Sequence, residues 1–463
     1  MEENHLRQIL DFSLSRGGSF ADLFIEETDA TSIICEEDKI EQILTGSDRG
    51  AGIRLIHDLQ TYYASSADLS PSTLEDLALS LANAVPAHTP IRSSPSLSLD
   101  AQVPPWSHPI RIPPRQIPLK EKVKRVMAAN AVARAIDPSI RQVRVICREG
   151  WRRTRIANSE GHLCEEDRVG LLFMVQVVAS KDHVIQTGYE VIGGVVGWEI
   201  FEEHPAEAVA EKAARRALQM LQADPAPAGP MMVVVSSEAG GTMIHEAVGH
   251  GLESDLAQDG LSVYSHRLGE QIASPLITVI DDPTLPGRRG SYVFDDEGTL
   301  AQKTILVEHG ILKGYLYDRL AAFKDQTRST GNGRRQSYQH KPIPRMSNTL
   351  IAPGQTPPEE IIRSVSKGLL VKKMGGGQVN TVNGDFVFEV SEGYRIEGGE
   401  VGPPVRGATL TGNGPRILQQ IDRVGSDLGF GLGTCGKEGQ GAPVSDAQPT
   451  LRIPEIIVGG TSA

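Results

Sequence analysis

Cysteine is scarce in this sequence: Cys35, Cys147, Cys164 and Cys435 are scattered over 463 residues without a scaffold spacing. That excludes a disulfide-stapled secreted domain and points to reduced thiols in a cytoplasmic protein. Basic residues are in deficit, with 46 Lys+Arg against 58 Asp+Glu and a net charge of −12. No basic stripe runs through the chain, which excludes direct binding of duplex DNA or RNA. No apolar run is long enough to span a bilayer, so no membrane association is expected. Glu2 and Glu3 stand where a secretory signal would carry bases. Aromatic residues are sparse at 5%, whereas glycine is abundant at 48 residues, a balance that calls for tight turns and close backbone approaches.

The composition is otherwise that of a globular chain with room for two or three domains. Residues 5–16 carry Leu6, Ile9, Leu10 and Leu14 at helical spacing. Strands are expected at 21–27 and 31–35 with a turn between them, then at 50–56 and 61–65, and a helix at 73–85. These make an N-terminal α/β domain, 1–85. Residues 86–118 are rich in Pro and Ser without sustained periodicity and read as a linker. A middle α/β domain, 119–223, follows. Its expected parts are a helix at 119–136, strands at 142–149, 152–158 and 163–180, a Gly-rich loop at 188–197 and a helix at 205–223. From 231 to 463, short apolar runs split by Gly and Pro describe a β-rich, antiparallel, barrel-like domain. The fold class is therefore α+β.

Chemistry concentrates at Thr242-Met243-Ile244-His245-Glu246-Ala247-Val248-Gly249-His250-Gly251. Zinc binds neutral imidazoles, and a carboxylate alongside can take a proton from metal-bound water. The histidines stand five apart, not the usual four. At roughly 100° per residue, five steps leave the second ring about 140° from the first. Both reach one metal only if the helix bulges or unwinds, and Gly249 and Gly251 flank His250 where a break is tolerated. A catalytic zinc takes three protein ligands and keeps one position open. Cys435, in the run Gly433-Thr434-Cys435-Gly436-Lys437, is a candidate third ligand, with Lys437 placed to favour its thiolate. Glu253 and His266 are the rival candidates. Asp281-Asp282 and Asp295-Asp296-Glu297 lack calcium-loop spacing and read as turns.

The His245-to-His250 segment, the run Gly433 to Gln440, the segment Thr330 to Tyr338 and the run Pro344 to Thr349 together make the chain resemble the TldD/PmbA (TldD/TldE) peptidase family over nearly its full length. The resemblance implies a β-rich C-terminal metallopeptidase domain. It implies that His245, His250 and Cys435 hold the metal and that Glu246 is the general base. The metal segment is intact, so the chain looks like the catalytic, TldD-like member rather than its TldE/PmbA-like counterpart. A dimer is implied, with a second copy or with a TldE/PmbA-like subunit. Unfolded or extended peptides are the implied substrates, leader peptides and labile small proteins among them.

On that reading the chain is a zinc metalloprotease. Substrate enters as an extended strand on a sheet edge of the C-terminal domain. Oxyanion or substrate-binding donors are sought in the 330–348 segment, at Asn332, Arg334, Tyr338 and His340. The alternative is a non-catalytic peptide-binding or scaffold subunit of a TldD/TldE-type complex.

Overall fold

The structure is a computed structural model that describes residues 1–86 and 98–460. It is α+β, as expected. Phe20–Glu36 and Lys39–His57 form a long antiparallel hairpin. Its turn falls at Glu37 and Asp38, both in left-handed backbone, as a two-residue hairpin connection requires. Phe20–Glu36 pairs on its other side with Ile140–Asn158, so the N-terminal and middle regions contribute to one seven-stranded sheet. The order continues through His162–Lys181 to Val184–Gly194 on one part of its edge and Asp100–Ala101 on another.

Three local expectations are corrected here. No turn separates 21–27 from 31–35, and none separates 142–149 from 152–158. The polar run Glu26 to Ser32 looks like a turn, yet it is laddered residue by residue between two neighbours. The Gly-rich stretch 188–197 is mostly strand. A Cβ on Gly188 would lie 2.2 Å from the Ala213 carbonyl, so glycine there lets the helix Ala206–Leu221 lie directly on the sheet. Of the expected linker 86–118, residues 87–97 lie outside the described residues. Beyond them, Asp100–Ala101 pairs with His162–Leu163.

In the C-terminal region Lys367–Val379, Gly229–Val235, Leu451–Gly459, Thr409–Asn413 and Asp385–Glu397 pair in turn. The last pairs back with the first, closing a five-stranded barrel. One of its pairings is parallel. Leu316 makes a single bridge with Glu253. A separate six-stranded sheet runs Ile311–Leu312, Thr304–Glu308, Val279–Asp281, Asn348–Ile351, Gln440–Gln448, Gly429–Lys437. Gly429–Lys437 is its end strand, paired on one side only among the described residues. Among the described residues no helix is long and apolar enough to cross a membrane.

The acids read as turns are buried anchors. Asp281 accepts hydrogen bonds from Ser347, Thr349 and Asn332. Glu297 pairs at 2.6 Å with Arg54, which also holds Asp22. Asp296 meets Arg152 and Arg168. This buried ionic seam joins the N-terminal sheet to the C-terminal region. Removing one partner of such a pair leaves an uncompensated charge, at a cost of about 3–5 kcal/mol. Arg54→Met is therefore expected to lower stability by about that amount. Urea unfolding of the purified variant checks it, and an unchanged midpoint would contradict the seam's role.

Candidate metal centre

Thr242–Ile244 opens as α-helix, and His245–Gly249 then widens into a π turn. The His250 N–H bonds to the His245 carbonyl five residues back. The wider turn returns residues five apart to one face, which answers the spacing problem. The irregularity begins at His245, earlier than the glycines. Gly249 is itself helical at φ −54°, ψ −54°. A Cβ there would lie 2.0 Å from Met346 Sδ, and one on Gly251 would lie 2.7 Å from the Tyr264 ring. These glycines serve close packing, and at His250–Leu252 the helix tightens into a 3₁₀ turn that ends at the extended Glu253.

The two imidazoles stand with centroids 5.0 Å apart and planes at 88°. Cys435 reaches them from the strand Gly429–Lys437, its Sγ 3.5 Å from His250 Nε2. One ligand atom from each of the three lies within 4.8 Å of the others. Bonds of about 2.3 Å to sulfur and 2.0 Å to nitrogen span roughly 3.5 Å at a tetrahedral centre, so the donor set fits zinc. The outer nitrogens are fixed as well: His245 Nδ1 meets Asp446 Oδ1 at 2.7 Å, and His250 Nδ1 meets Glu253 Oε2 at 3.0 Å. Carboxylates in those places orient the rings and leave Nε2 for the metal.

The electrostatics favour positive charge between these groups. Burial depresses the His245 imidazole, but Asp446 and Cys435 more than offset this and hold it well above its ordinary value. Burial also lowers His250, and Glu253 with Cys435 carries it up to about 10. Burial pushes the Cys435 thiol up, and the two imidazoles bring it down to about 6. The imidazoles therefore favour the thiolate. Lys437, expected to do so, pairs with Glu253 and Asp255 instead. Burial raises Glu253, and Lys437, His250 and Arg345 bring it to about 2.

Glu253 thus stands behind His250 and not beside the sulfur. His266 lines a different surface recess with Tyr315 and Arg328. Glu246 follows His245 on the π turn and is half-buried. Its carboxylate makes no hydrogen bond or ion pair among the described residues.

Asn332, Arg334, Tyr338 and His340 are spread more widely. Asn332 is fully buried and donates to Asp281 and to the Arg345 carbonyl. Arg334 donates to the carbonyls of Met346 and Pro443. Tyr338 packs with Phe24 and Ile156 of the N-terminal sheet. His340 Nδ1 lies 2.9 Å from Ser337 Oγ.

Sequence reasoning missed Asp446 and Arg345. Arg345 is fully buried and donates to the Cys435 carbonyl at 2.5 Å, holding that strand from behind. Asp446 becomes visible only through the hairpin register, which sets it opposite Gly431. The Lys437-Glu438-Gly439-Gln440 turn was the available signal.

A histidine pair on a π turn, a thiol from the end strand of the six-stranded sheet and a free carboxylate alongside are the parts of a metallopeptidase type of domain. Residues 228–460 match the PmbA/TldA metallopeptidase C-terminal domain, 112–221 its central domain and 21–85 its domain 1. The chain is 36% identical to a metalloprotease TldD homolog of Haemophilus influenzae, over 99% of this chain and 96% of that one. It is 26% identical to a zinc metalloprotease TldD homolog of Saccharolobus solfataricus, covering 96% and 97%. The crystal structure of TldE from Thermococcus kodakarensis shares the fold, with a TM-score of 0.76, 20% identity and 99% of both chains covered. The chain belongs to the PmbA/TldA metallopeptidase family, known also as TldD/PmbA.

Proposed function

We propose that this chain hydrolyses unfolded or extended peptides, leader peptides and labile small proteins among them, at a zinc ion held by His245, His250 and Cys435. The observation that carries the reading is the π turn, which sets both histidines against the Cys435 sulfur. Two imidazoles and a thiolate suit zinc better than oxygen-seeking ions, and the Saccharolobus relative is named a zinc metalloprotease. Bound zinc supplies a Lewis acid and acidifies water. Glu246 takes the proton of the attacking water and passes it to the departing nitrogen. Asp446 and Glu253 keep both rings in the required tautomer. A thiolate ligand donates more charge than imidazole, which leaves more of the water activation to Glu246.

The peptide lies as an added strand on the free edge of Gly429–Lys437, a mode that reads backbone more than side chains. The working unit is a dimer, with a second copy or a TldE/PmbA-like subunit, and sedimentation of the purified chain with and without such a subunit tests this. The deciding experiment for the function is metal analysis with a peptide assay. About one zinc per chain is expected, with cleavage abolished by chelation and restored by zinc. No bound zinc and no zinc-restored cleavage would indicate a non-catalytic scaffold.

Asp446→Asn probes the outer shell. Losing the charge behind a ligand imidazole is expected to weaken zinc binding by about 10- to 100-fold. Competition against a chromogenic chelator measures it, and unchanged affinity would show that Asp446 is dispensable.

A further inference from the structure

Buried arginines in this acidic chain are generally paired. Arg54 holds Asp22 and Glu297, Arg168 holds Glu166, and Arg216 holds Glu190 and Glu392. Beside the strand that carries Cys435 this pattern fails. Arg289 Nε donates to the Gly433 carbonyl at 3.1 Å and its Nη2 to Thr434 Oγ1 at 3.4 Å. Its backbone N–H is tied to Ser445 Oγ at 2.9 Å. The residue is therefore fixed across both strands of the hairpin that supplies Cys435 and Asp446.

Arg288 lies with its guanidinium 3.6 Å over the Phe430 ring. Arg148 is exposed on the strand Ile140–Asn158 of the other sheet, close enough for its charge to act on Arg289. Burial, then Arg148 and Arg334, hold the Arg289 guanidinium below its usual range, and no carboxylate opposes them. Among the described residues Arg148, Arg288 and Arg289 form no ion pair. Uncompensated, half-buried positive charge is costly and calls for a counter-ion. Among the described residues, three of the five N–H donors of Arg289 have no protein acceptor, enough for a two-pronged grip on a carboxylate.

We infer that Arg289, assisted by Arg148 and Arg288, binds a carboxylate of the peptide substrate about two residues, roughly 7 Å, from the scissile bond. The inference rests on the reading that a peptide lies along Gly429–Lys437, because Gly433 is two positions before Cys435 on that strand. The carboxylate is either the peptide's own C-terminus or an Asp or Glu side chain; the recognition chemistry is the same.

The test uses one peptide with a mapped cleavage site, made with Glu or Gln at the second position on either side. It is also made with a free or amidated C-terminus two residues beyond the cut. The zinc-loaded chain is expected to prefer the carboxylate forms by about 10- to 100-fold in kcat/KM, chiefly through KM, the worth of a charge-assisted contact. Arg289→Gln, and separately the surface variant Arg148→Gln, should shrink that ratio toward one; a merely structural role would leave it alone. Preference for the free terminus alone points to C-terminal trimming, and equal preference for Glu points to internal acid recognition. Equal rates for every form, or a ratio that neither variant moves, would overturn the inference. Fluorescence anisotropy with the zinc-loaded Glu246→Gln chain reads the same preference as Kd. Failure to cleave any form would therefore count against the peptidase reading, while binding still decides the carboxylate preference.

Discussion

Glu246→Gln is expected to keep its zinc and its fold and to lower kcat by about 10²- to 10⁴-fold, with KM little changed. The substitution preserves shape and removes only the ability to accept a proton. No hydrogen bond or ion pair is broken among the described residues, because the carboxylate makes none. The neighbouring ligands His245 and His250 keep their own partners, Asp446 and Glu253. Zinc per chain, a thermal melt and steady-state kinetics on one peptide check all three parts. Wild-type cleavage by a zinc-bound variant would remove Glu246 from the mechanism.

Cys435→Ala is expected to leave the centre without metal and the chain without activity. The free energy of zinc binding at four-ligand Cys/His sites is about 10–16 kcal/mol in zinc-finger peptides, or about 2.5–4 kcal/mol for each ligand. Loss of one ligand then weakens affinity on the order of a hundred- to a thousandfold. Cys435 is buried and has no alternative donor on its own strand that faces the imidazoles; Thr434 lies exposed and Lys437 is engaged with Glu253 and Asp255. Chelator competition gives the affinity. A Cys435→Ala chain that holds zinc as tightly as the parent would show that the third ligand lies elsewhere.

The centre was more legible than the fold around it. His245, Glu246 and His250 lie within one six-residue run, and their awkward spacing itself calls for a distorted helix. Cys435 was one of several options on chemistry alone, and the family resemblance singled it out. The long strands were illegible because local pattern cannot see neighbours. Glu26 to Ser32 is polar enough for a turn and is straight only because strands pair on both sides of it. The acids 295–297 read as a turn because their charged partners lie far off in the chain: Arg54 for Glu297, Arg152 and Arg168 for Asp296. Asn332 and Arg334 carry chemistry suited to a site wall, and the structure shows Asn332 donating to Asp281 and the Arg345 carbonyl and Arg334 donating to two backbone carbonyls, contacts that local sequence does not reveal. Gly249 was read for backbone freedom, whereas the space it leaves belongs to Met346.

The order in which this chain is made has a consequence for the cell that makes it. Synthesis runs from the N-terminus, so the paired histidines and Glu246 leave the ribosome long before Cys435 and the Asp446 that backs His245. Until the terminal hairpin Gly429–Lys437 and Gln440–Gln448 closes, the earlier residues have no thiolate to close the donor set. On the function proposed above, a nascent product that has not yet made this hairpin has no complete donor set with which to cut the unfolded segments around it, its own included. Proteolytic power, on that reading, waits on the hairpin that brings Cys435 and Asp446 to the histidines.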